Sequence, residues 1–171
     1  MDSRKRVSIA LNHQEPDRVP LDLGGTTTTG MHVSTVYKLR QALELDDPGT
    51  PVRVVEPFQM LGEIGPDLVE ALGGDVVELK LPATMFGFEN QGWKPWKTFD
   101  GTPVLVPEAF NTELEPDGSL VQYPFGDKTA RPSGKMPKDG WYFDAIIRQE
   151  PIDEANLEVE DNLEEFAKIT P

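Results

Sequence analysis

Asp22 and His32 are the residues of this chain whose type and setting could support acid–base chemistry. Asp22 interrupts the apolar run Val19-Pro20-Leu21-Asp22-Leu23, and an unpaired carboxylate inside a buried strand is costly. At the carboxyl end of a first barrel strand it would point toward the face where barrel enzymes hold their sites. It could equally cap a helix or pair with Arg18 or Arg40. His32 follows the hydroxyl-rich loop Thr26 to Gly30, whereas His13 lies in a separate segment. Neither stands in an HxH or HExxH arrangement, and a metal centre needs three or four converging ligands. No metal site is expected from this chain alone.

Gly24-Gly25 after the apolar run could present backbone N–H groups to an anion. No G-x-G-x-x-G or G-K-[ST] accompanies them, so a tight turn requiring small residues is the simpler reading. Trp93, Trp96 and Trp141 could stack on a flat ligand or fill a core.

The elements that must position these residues alternate in type up to Pro82. Ser3 can cap a short helix with Val7, Ala10 and Leu11 on one face, which Asn12 and Pro16 stop. Val19–Leu23 reads as a buried strand closed by Gly24-Gly25. Val33, Val36, Tyr37, Leu39 and Leu43 repeat as a helix ending near Leu45. Val52, Val54 and Val55 form a strand stopped by Pro57, and Ile64, Leu68, Val69 and Leu72 form a helix ending at Gly73-Gly74. Asp75–Leu79 reads as another strand. Such alternation predicts an α/β fold.

Beyond Pro82 the pattern changes. Asp100-Gly101 and Asp117-Gly118 each separate short alternating runs, which is a strong hairpin signal, and Asp139-Gly140 precedes Trp141-Tyr142-Phe143-Asp144. The expected organisation is therefore helix and strand segments over 1–82, an antiparallel β meander over 83–149, and an acidic arm or the start of a helix over 150–171. Glu150 to Glu165 carries eight acidic residues without Lys or Arg, as solvated arms do.

Composition narrows the function classes. The 171 residues carry a formal net charge of −14, from 30 Asp and Glu against 16 Lys and Arg. Nucleic acid and anionic membranes are thus unexpected partners, since both need clustered positive charge. There is no cysteine, so neither a disulfide nor a thiolate metal site can form within the chain. No apolar stretch approaches the roughly 18 residues of a membrane span, and the opening lacks the apolar core of a secretory signal. A soluble, cytoplasmic protein is expected.

The opening SRKRVSIALNHQEPDRVPLDLGGTTTTGMH, residues 3–32, resembles the start of uroporphyrinogen decarboxylase-like proteins of the corrinoid-dependent methyltransferase group. DGTPVLVP (Asp100 to Pro107) and KMPKDGWYFD (Lys135 to Asp144) are similar to later parts of the same group. The resemblance implies the amino-terminal layer and first strands of an incomplete TIM-type barrel, with α+β as the alternative class. A complete (β/α)₈ barrel typically needs about 250 residues. It also implies methyl transfer between a corrinoid and a small acceptor. Zinc, held in that group by His and Cys ligands later in the chain, activates the acceptor. This chain alone would bind neither cofactor and would be inactive alone. It would work with a carboxyl-terminal barrel partner, by self-association, or with a corrinoid protein.

By matched position, the resemblance makes Asp22 and His32 catalytic candidates and Gly24 and Gly25 substrate-binding ones. The decarboxylases carry an arginine-containing segment after the first strand, whereas the matching stretch here, Leu21-Asp22-Leu23-Gly24-Gly25-Thr26, has an acid and no arginine, and an acid repels a polycarboxylate. The methyltransferase branch therefore fits better than a decarboxylase. A non-catalytic binding or assembly module is the remaining alternative.

Overall fold

A computed structural model describes residues 1–147. The acidic arm expected over 150–171, with its helix start at Asn162, lies outside the described residues. The chain is of mixed α/β class, with two open four-stranded sheets among the described residues.

Helix α1 spans Ser3–Leu11, and α2 spans Val33–Ala42. Asp2, rather than Ser3, caps α1, its carboxylate accepting the Lys5 N–H at 2.8 Å. Strand β1 (Val52–Glu56) runs antiparallel to the two-residue β2 (Leu61–Gly62), with a bulge between Val54 and Glu56. Helix α3 (Pro66–Ala71) begins with proline in its first turn and hands over to Gly73 at φ +70°, a conformation open to glycine at little steric cost.

Strands β3 (Lys94–Lys97) and β4 (Pro103–Val106) form the first hairpin, turning at Asp100-Gly101. Beyond closing the hairpin, β4 also pairs in parallel with β1, giving the order β2-β1-β4-β3. The second sheet joins β5 (Thr112–Leu114), β6 (Leu120–Gln122), β7 (Gly134–Met136) and β8 (Asp144–Ala145) in sequence order, every pair antiparallel. Its β5–β6 turn falls at Asp117-Gly118, where the dipeptide signal places it.

The core lies where α2 covers the first sheet. Val33 and Val36 of α2 meet Val52 and Val54 of β1, Val104 and Val106 of β4, and Leu68 of α3. Phe86, Phe88, Phe110 and Phe143 continue this cluster toward the second sheet, with Phe86 and Phe143 edge to face at 5.5 Å.

Two expected strands are absent. Val19–Leu23 is irregular, with Val19 83 % exposed, and Asp75–Leu79 is irregular as well. The two segments nevertheless lie side by side and in parallel. The Asp75 N–H donates to the Leu21 carbonyl at 2.7 Å and the Leu79 N–H to the Gly25 carbonyl at 3.1 Å. Two bonds do not make a ladder. Pro20 lacks an N–H, and among the described residues no helix covers the outward side chains Val19, Val77 and Leu79.

Ion pairs hold this alignment. Arg6, the one buried residue of α1, bonds Asp17 at 2.7 and 2.9 Å and also reaches Asp75. Arg18 reaches Asp75 at 2.7 Å, and the Leu21 N–H donates to the same carboxylate at 2.9 Å. The Leu21 N–H, against the effect of burial and together with the arginines, holds the Asp75 carboxyl far below the usual carboxylate range.

Candidate functional site

The loop after the first apolar run is shaped by Asp22. Its Oδ1 accepts the Gly25 N–H at 2.8 Å and the Thr29 hydroxyl at 3.0 Å, while the Gly24 N–H donates to the Thr29 carbonyl. This is local turn chemistry of the kind Asp side chains perform. The expected pairings of Asp22 with Arg18 or Arg40 do not form, since Arg18 is bound to Asp75 and Arg40 to Asp46 and Asp67.

Gly24 is required twice over. Its φ is +84°, and a Cβ there would lie 2.6 Å from Ile64 Cδ1. A Cβ at Gly25 would lie 2.6 Å from Val76 and 2.7 Å from Asp22 Oδ1.

His32 sits at the amino end of α2. Its Nδ1 accepts the Ser34 N–H at 3.2 Å, and its Nε2 is 2.9 Å from the Trp141 carbonyl oxygen. A carbonyl can only accept, so the proton belongs on Nε2 and the ring is neutral in this arrangement. Burial pushes the imidazole pKa down, against the Trp141 carbonyl and Asp100, which favour the charged form. Asp100 is 3.7 Å from Lys38. Burial would raise the Asp100 carboxyl, but the Thr98 and Thr102 hydroxyls and the Thr102 N–H outweigh it and bring it down to about 2.

Asp22 and His32 share no hydrogen bond, and among the described residues no group of three or more His, Asp or Glu could hold a metal. The three tryptophans are likewise dispersed. Trp96 packs on Phe110, Trp141 lies between Phe99 and His32, and Trp93 lies under Arg53.

A cavity of about 570 Å³ opens instead at the carboxyl ends of the two parallel segments. Gly24, Thr26 and Thr27 supply one side, Glu78 to Ala83 another, and β1, β2 and the stretch Glu89–Trp93 the rest. Of the four residues singled out by sequence, Gly24 lines it, whereas Asp22, Gly25 and His32 do not. The size and the mixture of apolar wall with a few polar groups are those of a small-molecule site.

The charged groups of the wall divide into paired and unpaired. Glu63 takes both cations, Arg53 at 3.5 Å and Lys80 at 3.4 Å. Arg53 also lies 5.2 Å over the Trp93 ring. Glu78 and Glu89 form no ion pair within 4 Å among the described residues. Burial pushes the Glu78 carboxyl up; Lys80 opposes this and Glu63 adds to it.

Glu56, only 3 % exposed, also borders the cavity. Its carboxylate accepts the Phe58 N–H at 3.0 Å and the Met85 N–H at 3.1 Å, and burial raises its pKa despite both. Asn90 donates to the Val55 carbonyl at 2.7 Å, while its Oδ1 is buried with no partner among the described residues.

Sequence reasoning reached Gly24 and Trp93 of this wall but missed its charged groups and Asn90. One signal was available. In Val52-Arg53-Val54-Val55-Glu56 the inward alternation of β1 reaches a carboxylate at Glu56, where a further apolar residue would suit a core strand.

No protein-family model, curated protein or solved structure matches this chain, so the resemblance drawn from residues 3–32 rests on those residues.

Proposed function

We propose that this chain is the amino-terminal part of a uroporphyrinogen decarboxylase-like methyltransferase, an incomplete TIM-type barrel whose remaining strands come from further polypeptide. The supporting observation is the pair of parallel extended segments, 19–25 and 75–81, with uncovered apolar side chains and a cavity at their carboxyl ends. Parallel strands are stable with both faces covered, and barrel sites form beyond their carboxyl ends. Adjacent barrel strands would pair with their edges, and the barrel's helices would supply the missing cover.

The chemistry is methyl transfer between a corrinoid and a small acceptor. The methyltransferase reading is preferred to a decarboxylase because the cavity wall is acidic. Glu63 already engages both Arg53 and Lys80, and Glu56, Glu78 and Glu89 in the same wall would repel a polycarboxylate. Zinc does not fit the described residues, which include no cysteine and no cluster of three His, Asp or Glu. Its ligands would belong to the rest of the enzyme. This chain's part is to shape the cavity floor through Gly24 and the Asp22-held loop.

The test is purification of the tagged chain from its native source, followed by an assay for methyl transfer from methylcobalamin to a thiol. A stoichiometric barrel partner, with transfer by the complex and none by the chain alone, is the expected result. A monomer without a partner or activity overturns the proposal and favours a separate binding module.

A further inference from the structure

The cationic groups of the cavity wall are paired, while some of its carboxylates are not. Arg53 and Lys80 are both engaged by Glu63. Among the described residues Glu78 and Glu89 have no ion pair, and the buried Glu56 has only two backbone N–H groups for partners. Counting charges, Glu56, Glu63, Glu78 and Glu89 face Arg53 and Lys80, an excess of negative charge in a partly desolvated space. Asn90 adds a buried acceptor without a donor among the described residues. Between these groups the wall is apolar, through Val55, Leu61, Ile64 and Leu79. A desolvated carboxylate beside another carboxylate gains most from a positive charge that brings its own N–H donors.

We infer that this cavity binds an organic cation, with an ammonium head toward Glu78 and an apolar body against Val55, Leu61, Ile64 and Leu79. An anion would meet unpaired carboxylates. A neutral molecule of the same shape would fill the apolar part and leave Glu78 as it is. The inference concerns the cavity used in the proposed function but stands on its lining, and it requires no methyl transfer.

The experiment is calorimetric titration of the full chain with benzylammonium, benzyl alcohol and benzoate, which share a ring and differ in charge. Benzylammonium is expected to bind about tenfold more tightly than the alcohol, and benzoate most weakly. Glu78→Gln should lower benzylammonium affinity about tenfold and leave the alcohol unchanged. Lys80→Met removes a competing cation and should raise benzylammonium affinity several-fold. Both positions are partly or fully exposed, so the folded state can be verified by its unfolding curve. Amide NMR shifts on titration should centre on Gly24, Ile64 and Leu79.

Equal affinity for ammonium and alcohol, no change in both variants, no binding at millimolar ligand, or shifts centred elsewhere would each overturn the inference. Ammonium binding without methyl transfer in any partner complex would leave it standing and remove the proposed reaction. Methyl transfer by a complex indifferent to ligand charge would do the reverse.

Discussion

The chain contains two parallel alignments of backbone that fare very differently. Strands β1 and β4 pair in register, are roofed by α2, and bury Val52, Val54, Val104 and Val106. Segments 19–25 and 75–81 are also parallel and also rich in Val and Leu, yet they share two backbone bonds and leave Val77 67 % and Leu79 73 % exposed. Apolar composition is similar in the two places. Cover is what differs, and a parallel pair without it relies on polar clamps such as Asp75 with Arg6 and Arg18.

The sharpest way to test this contrast is to cut into each alignment and compare unfolding in urea. Leu68→Ala, beneath the covered pair and fully buried, should cost about 2–5 kcal/mol. Asp75→Asn should destabilise by a smaller amount and loosen the uncovered pair, with faster amide exchange at Leu79. It should also flatten the acid limb of stability. The folded carboxyl is depressed, so its contribution is present above the usual carboxylate pKa and is lost as pH falls through the folded one. A wild-type stability that does not fall more steeply with acid than the variant's would reject the clamp.

His32→Ala should cost about 1 kcal/mol through the lost cap on α2. Since burial lowers the imidazole pKa, wild-type stability from this group is full above about 6.5 and falls as pH drops below that value, whereas the variant should lack the slope. Glu56 runs the other way. Its raised carboxyl makes stability fall as pH climbs through the window above about 4.5, and Glu56→Gln should remove that fall. The smallest effect belongs to Leu79→Ser, within about 0.5 kcal/mol in the isolated chain. A large loss there would show that the uncovered face is already packed against something.

Local signals were legible in the sequence wherever the local chain decides the outcome. The α2 periodicity, the Val52–Glu56 strand before Pro57, and the turns at Asp100-Gly101 and Asp117-Gly118 all form as their residues predict. The apolar runs at Val19 and Asp75 carried the same kind of signal and did not become strands. A strand is completed by neighbours, and among the described residues theirs are missing. The parallel pairing of β4 with β1 was invisible for a related reason, because the hairpin signal is local and the crossover is not. The loop around Asp22 was recognisable as unusual. The cavity was not, since its wall is assembled from separate stretches of chain, around residues 24–30, 53–56, 61–64, 78–83 and 89–93.

The Asp75 clamp also bears on how the chain emerges from the ribosome. Arg6, Asp17 and Arg18 are made early, yet the carboxylate that fastens them follows 57 residues after Arg18. The first sheet waits longer still, because β1 gains its parallel neighbour only when residues 103–106 appear. At about 5–20 residues per second, that leaves β1 without β4 for several seconds of synthesis. During this interval the edge of β1 that β4 will cover is open, and the run at Val19–Leu23 finds its own neighbour sooner, once residues 75–79 have been made.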